Sequence, residues 1–428
     1  MSDQPEPEQP APSALDELAA RRKKIALEQR RKHPLFSIWQ QWGLQLADVG
    51  GPIPNLRNAV SVLEFDPKYK GTIWFDEFTG QVMTGNHGRP WIDSDDLEFA
   101  LHMQGELGIT RMGVETAARA VLSIASTNKR NVVLDWIGSL QWDQTARVDK
   151  FFTDFFGAED TEYTSAASRN FWLSLAARIL TPGCKVDNMV VLEGPQGVGK
   201  SQALKLIAGD WFAEQHESAT NPKAFAEILQ GKILVEISEM DAFNRAEVNR
   251  VKQTISCSSD RFRASYGRYA ADHPRTCIFV GTTNRDDWNR DETGARRFWP
   301  IACQGSIDLL GITNNRDQLL AEAASRIGRS EPYWQMPYDA TSDEQRARFQ
   351  HDSWFGEVER ILMGRTDTTT HDILVALGIE TARQGRSEQM RVASILRFMG
   401  WERRRKLTKD RGLKADRPYL YFRPDDPN

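Results

Sequence analysis

At 428 residues, with 55 Lys and Arg against 59 Asp and Glu, the chain suits two or three domains, each able to bury its own core. The formal net charge of -4 excludes an overall electrostatic pull toward nucleic acid, so any such binding needs a local basic patch. Cys184, Cys257, Cys277 and Cys303 form no CxxC pair and stand beside no histidine at zinc-ligand spacing, which predicts reduced thiols. No stretch approaches the ~18 uninterrupted apolar residues of a membrane span, and the N-terminus carries no apolar signal core, so a membrane partner is not expected.

Residues 1 to 15, "MSDQPEPEQPAPSAL", cannot build a core and are expected to be disordered. The amphipathic "LDELAARRKKIALEQRRK" reads as a helix with a solvated basic face, and completes an N-terminal tail over residues 1–33. Residues 34–161 mix strand-like pieces, "AVSVLEF" and "TIWFDEF", with the helical "VETAARAVLSIAS", which predicts a small α+β domain. Asp93, Asp95 and Asp96 precede "LEFALHM" and read as helix capping with a favourable first turn. "TEYTSAASRNFWLSLAARIL" predicts a helix that Pro182 and Gly183 end. Apolar strands then alternate with helices, the pattern of a parallel α/β sheet, in a domain expected over 162–341.

Within that domain Gly194, Pro195, Gln196, Gly197, Val198, Gly199, Lys200 and Ser201 match G-x-x-x-x-G-K-[ST] in full, between the strand candidate "NMVVLE" and a helix candidate that continues with Gln202. Glycines let backbone N–H groups curl around a β-phosphate, and the helix N-terminus adds positive potential. Lys200 reaches β/γ oxygens, and Ser201 ligates magnesium, so ATP and Mg²⁺ are the expected ligands.

A nucleotide site also needs acids from a neighbouring strand, and "KILVEISEM" supplies two. Glu236 falls within the apolar pattern, whereas Glu239 sits where the strand should end. Glu239 is therefore expected to hold magnesium through water or to orient the attacking water, with Glu236 as its partner. A third strand, "TCIFVGTTN", ends in Thr282, Thr283 and Asn284, and an amide at that edge can touch the γ-phosphate. In "DETGARRFWPI", Arg296 and Arg297 are candidates for a guanidinium brought to the γ-phosphate, often from another subunit.

Taken together, "WDQTARV" (142–148), "TPGCKVDNMVVLEGPQGVGKS" (181–201), "VEISEM" (235–240), "SSDRFRASYGR" (258–268), "PRTCIFVGTTN" (274–284) and "DETGARRFWP" (291–300) resemble the virulence-associated protein E family. These are phage and mobile-element P-loop ATPases related to superfamily 3 helicases. The resemblance implies an AAA+-like ATPase core that works as a homo-oligomeric ring, a hexamer foremost, in the cytoplasm of a bacterial host. By matching position, Gly199, Lys200 and Ser201 look like the nucleotide loop, Glu239 the acid motif, Asn284 the sensor, and Arg297 with Arg296 the finger. One departure concerns the acids: superfamily 3 helicases often carry them adjacent at the strand end, and here they are three apart.

"DRFRASYGRYAADHPR" places Arg261, Arg263, Arg268 and Arg275 around Tyr266 and Tyr269, a mixture of cations and aromatics that suits a nucleic-acid strand. The resemblance implies a hairpin lining a ring channel, with Arg268 as the foremost contact. The alternative, that Arg261 and Arg263 turn back to ATP or to a neighbouring subunit, stays open.

From residue 342 to 428 three helix candidates, "DSWFGEVERILMG", "TTTHDILVALGI" and "SEQMRVASILRFMGW", precede strand-like ends such as "YLYFRP", the outline of a winged helix. In the third helix Met390, Ala393, Leu396 and Met399 are expected inward, leaving Arg391, Ser394 and Arg397 on an outward recognition stripe. Arg404 lies in the basic "WERRRKLTKDRG", and between Arg383 and Arg417 Lys and Arg outnumber Asp and Glu roughly threefold. The expected fold class is thus α/β, a P-loop AAA+-like core with a small N-terminal α+β domain and a C-terminal winged helix. The expected function is an ATP-dependent DNA helicase or replication-initiation ATPase acting on single-stranded DNA. A loader in which ATP switches assembly without unwinding is the alternative.

Overall fold

The computed structural model describes residues 14–85, 88–215, 222–240, 245–263, 269–285, 297–347, 353–405 and 419–423. The chain forms two units, Met1–Ser139 and Leu140–Asn428.

The first unit carries α1 (Ala14–Arg31), α2 (Phe36–Gln41), α3 (Leu56–Phe65), β1 (Ile73–Asp76), β2 (Gln81–Thr84), β3 (Arg89–Pro90), α4 (Asp93–Gly105), α5 (Val114–Thr127), β4 (Lys129–Arg130) and α6 (Val132–Ser139). Its sheet runs β3-β2-β1-β4. "AVSVLEF" is not a strand but most of α3: the Asn55 side chain caps Asn58 N, and Ala59, Val62 and Leu63 are buried at helical spacing. That one-sided burial outweighs the strand preference of two valines. The acids after Trp91 are structural. Asp95 accepts from Ile92 N and takes both Arg89 nitrogens at 2.7 Å, while Asp96 accepts the Trp91 indole N–H.

The second unit begins well before the expected boundary at residue 161. Glu322, 1% exposed, accepts the N–H groups of Arg147 and Val148 at 2.6 and 3.1 Å. The aromatic run of α7 (Phe151–Phe156) packs on Phe171 and Trp172 of α8 (Glu162–Leu180). These residues therefore belong with the second core. As expected, α8 opens on Thr161, whose hydroxyl accepts from Thr164 N.

There follow β5 (Met189–Glu193), α9 (Lys200–Ala208), β6 (Phe212–Gln215), α10 (Pro222–Leu229), β7 (Leu234–Ile237), α11 (Arg245–Ser256), β8 (Ser259–Phe262), β9 (Ala271–Pro274), β10 (Ile278–Thr283), β11 (Phe298–Ala302) and α12 (Leu309–Gly328). Five strands form a sheet in the order β11-β5-β10-β7-β6, and every pairing is parallel. β5, β7 and β10 are buried along their length, as continuous apolar strands covered on both faces should be. β8 and β9 pair antiparallel as a separate hairpin.

The C-terminal part comprises α13 (Tyr338–Ala347), α14 (Phe355–Leu362), β12 (Asp367–Thr368), α15 (Thr370–Ala376), α16 (Arg386–Phe398), β13 (Glu402–Arg405) and β14 (Tyr419–Phe422). Its antiparallel sheet runs β12-β14-β13 over a core of its own, built from Val358, Leu362, Ile373, Leu374, Val392, Ile395, Leu396, Trp401 and Tyr421. On α16 Leu396 faces inward and Ala393 and Met399 pack against the core as expected, but Val392 and Ile395 share that face, and Met390 is 57% exposed, contrary to expectation. The rotation follows from Val392 and Ile395, two β-branched residues that outcompete methionine for the core. It also turns Arg391 toward α14, where its guanidinium lies 3.8 Å from the centre of the Trp354 ring and donates to Ser353 Oγ. Arg391 is thus not on the outward stripe, whereas Arg397 is exposed and bonds its own helix at Ala393 O.

Candidate functional site

All five parallel strands end on the same edge of the sheet, where loops gather side chains that are distant in sequence. The glycine-rich loop leaves β5 and enters α9 there. Gly194, Gly197 and Gly199 have φ of +153°, +85° and +101°, values that L side chains rarely adopt. A Cβ on Gly194 would also stand 3.0 Å from Cys303 O. The loop is fixed from outside as well, since Ile307 N donates to Val198 O.

Lys200 is 8% exposed, and its Nζ donates to Gly194 O at 2.6 Å, Pro195 O at 3.0 Å and Asn284 Oδ1 at 3.3 Å. The lysine thus ties the loop to the end of β10. Ser201 Oγ donates to Glu236 Oε1 at 2.7 Å, and Thr282 Oγ1 donates to the same oxygen at 2.6 Å. Glu236 is fully buried on β7, two strands from β5, with β10 between them. A carboxylate there is tolerable because hydroxyl donors meet it. Glu239 lies beyond the strand end, exposed, at φ +54°. A left-handed glutamate costs roughly 1–2 kcal/mol, so its neighbours must hold it there.

One open cleft of about 380 Å³ is bounded by Gln196, Gly197, Gly199, Lys200, Ser201, Gln202, Glu214, Ser238, Glu239, Thr282, Thr283 and Asn284, with Glu236 buried directly behind Ser201 and Thr282. The candidate loop, both acids and the asparagine are therefore brought together. Two groups escaped the sequence reading. In the sequence Thr282 reads only as part of a strand end. Glu214 on β6 pairs in register with Glu236, but its four-residue strand "FAEQ" carries no periodic signal.

Arg297 is elsewhere. It precedes β11, whose first residue pairs with Met189 at the start of β5, so it lies some six residues of strand, about 20 Å, from the loop of its own chain. It lines a second cleft, of about 670 Å³, with Lys185, Asp187, Trp299, Tyr333 and Trp334. Its Nε is buried and has no hydrogen-bond partner among the described residues. Arg296, Tyr266 and Arg268 lie outside the described residues.

The hairpin splits the arginines of the Arg/Tyr segment. Arg261 pairs with Asp272 across the strands at 3.1 Å, and the buried Arg275 binds Asp260 at 2.5 and 2.7 Å. Arg275 is structural, whereas Arg261 stays exposed and is turned to Asp272 rather than to the glycine-rich loop. Arg263 and Tyr269 are exposed at the hairpin's free end. Arg404, on β13, pairs with Glu402 and lies over the Phe422 ring.

Among the described residues no group of three or more His, Cys, Asp or Glu could hold a metal ion by itself. The donor set still fits Mg²⁺, which keeps several waters and takes one or two protein oxygens beside substrate phosphates. Ser201 and Glu236 would hold it. Among the described residues no helix is long and apolar enough to cross a membrane.

The five-stranded parallel sheet, with the lysine-and-serine loop at its edge, defines a mixed α/β protein. The sequence model of the virulence-associated protein E-like domain matches residues 137–353, half of the chain, and the chain belongs to that family. No curated protein matches the sequence. Among solved structures, the apo structure of the NrS-1 C-terminal region is similar at 13% identity and a TM-score of 0.45, over 82% of this chain and 95% of that one. The A form of the same apo region gives 12% identity and 0.44 at the same coverage.

Proposed function

We propose that the chain is an ATP-hydrolysing, DNA-acting motor of a phage or mobile element, a helicase or replication-initiation ATPase built on a P-loop, AAA+-like core. The observation that carries this reading is the Ser201–Glu236 bond of 2.7 Å beside Lys200, with Glu239 and Asn284 on the same cleft. Lys200 and the loop N–H groups bind the β- and γ-phosphates of ATP. Ser201 and Glu236 would hold Mg²⁺, which would supply positive charge to neutralise charge developing on the phosphates. Glu239, exposed at the strand end, orients the attacking water and takes its proton, and Asn284 steadies the γ-phosphate side. Of the two roles expected for Glu239, this keeps the water and moves the metal to Glu236, a division that the burial of Glu236 against Ser201 supports.

Arg297, beyond reach of its own loop, supports a finger role only toward a second copy, and so favours a ring in which each chain completes its neighbour's site. The exposed end of the β8–β9 hairpin, with Arg263, would meet a single strand of DNA. The order of three helices and a three-stranded sheet over residues 355–422 supports a winged helix. Its outward face then comprises Arg386, Gln389, Met390 and Arg397, rather than Arg391.

The test is the ATPase rate with and without single-stranded DNA, for the wild type and Lys200→Ala. A several-fold rise with DNA that the alanine abolishes supports the motor. Hydrolysis indifferent to DNA sinks it, and leaves the loader reading, in which no labelled strand is displaced from a forked duplex.

A further inference from the structure

We infer that Thr282 is a positioning residue for magnesium in the nucleotide cleft, a role that rests on the nucleotide reading above. Its hydroxyl donates to Glu236 Oε1 at 2.6 Å, the oxygen that also accepts Ser201 Oγ at 2.7 Å. Thr282 is 4% exposed and Glu236 0%, so the carboxylate is buried behind the cleft that Ser201 and Thr282 line.

A serine hydroxyl has one proton and two lone pairs. Donating that proton to Glu236 fixes the rotor and turns the lone pairs of Ser201 away from the carboxylate, where a cation can take them. The rotor is only as well fixed as the carboxylate that holds it. A carboxylate can turn about its own side-chain bonds, and the Thr282 hydroxyl adds a restraint on Glu236 that does not depend on Ser201. Thr282 reaches Glu236 from β10, the strand between β5 and β7, so the restraint comes from the sheet itself. β10 thus serves the cleft twice: Thr282 steadies the serine side, and two residues on Asn284 meets Lys200 at 3.3 Å. Threonine suits the task because its β-branch limits the rotamers of the donor.

Removing the hydroxyl should weaken cation binding while leaving the lysine and the loop amides to hold phosphate. Partners that orient metal ligands are typically worth about ten- to a hundredfold in metal affinity. The experiment measures the affinity of a fluorescent ATP analogue in EDTA and across a Mg²⁺ titration, for the wild type, Thr282→Val, Thr282→Ser and Lys200→Ala, with a thermal melt of each. The expected result is that Thr282→Val binds the analogue normally in EDTA but needs about tenfold or more Mg²⁺ for the magnesium-dependent gain. Thr282→Ser, which keeps the donor, should restore it. A valine variant with the wild-type Mg²⁺ requirement overturns the role. So does one that loses affinity equally in EDTA and Mg²⁺, or whose defect serine does not repair, since packing alone would then explain the residue. Failure of the nucleotide reading looks different: the wild type and Lys200→Ala would bind the analogue equally poorly, with or without Mg²⁺.

Discussion

Glu236 and Glu239 stand three residues apart on one strand and its end, yet occupy opposite environments. The first is 0% exposed with its Oε1 shared by two hydroxyls, and the second is exposed with φ +54°. Separate losses follow when each is made an amide. Glu236→Gln should abolish the magnesium-dependent part of nucleotide binding. Glu239→Gln should bind Mg-ATP normally and turn over at least about a hundredfold more slowly, within the range of a lost general base. Equal effects of both variants on binding would contradict the division of roles, and equilibrium binding with single-turnover hydrolysis reads it.

The loop glycines are conformational requirements. Gly199→Ala places a side chain at φ +101° and Gly194→Ala sets one against Cys303 O. Each should cost about 1–3 kcal/mol in stability or shift the loop and lose nucleotide affinity. Chemical denaturation and analogue binding on the same samples show which. Neither loss appearing would mean the loop has another conformation.

Two hairpin arginines should behave in opposite ways. The Arg275 side chain is 4% exposed and bound to Asp260, so Arg275→Met leaves a carboxylate without its partner and should destabilise by about 3–5 kcal/mol. Arg263→Ala should leave the melting temperature unchanged and weaken single-stranded DNA binding. A DNA affinity that falls only when stability falls would remove the hairpin from the interface.

On α16 the same contrast separates packing from recognition. Arg391→Ala should cost about 0.5–2 kcal/mol through the lost Trp354 stack. Arg397→Ala should spare stability and reduce the salt dependence of duplex binding by about one phosphate contact. An Arg397 variant with the wild-type salt slope places DNA elsewhere.

Thiol reactivity should divide the cysteines. Burial pushes the Cys277 thiol up to about 11 and that of Cys303 to about 12, whereas Cys257 is exposed and Cys184 half-buried. Alkylation of the native protein near neutral pH should label Cys257 first, and leave Cys277 and Cys303 until unfolding. The unfolded thiols ionise near 9.0 while the folded ones stay neutral. Both groups therefore contribute full stability below pH 9 and lose it as pH climbs toward their folded values. Mass spectrometry of labelled peptides checks the order, and rapid native labelling of Cys303 would place it at the surface.

The sequence by itself determined the covalent order of the cradle and the strands that carry it. Glycines with one lysine and one serine at fixed spacing, flanked by apolar runs, leave few other local structures, and "NMVVLE", "KILVEISEM" and "TCIFVGTTN" all became buried strands for that reason. Wherever a choice depended on a partner distant in the chain, only the tertiary structure decided. "AVSVLEF" has strand-forming residues but became helical because one side of it meets a core. The rotation of α16 was set by competition among Met390, Val392 and Ile395 for one interior. The division of Glu236 from Glu239, and the place of Thr282, follow from hydroxyls that reach the carboxylate from α9 and from β10. Periodicity and spacing encode what a residue does to its own segment. Which oxygen receives a proton is fixed only when three segments are packed within hydrogen-bond distance.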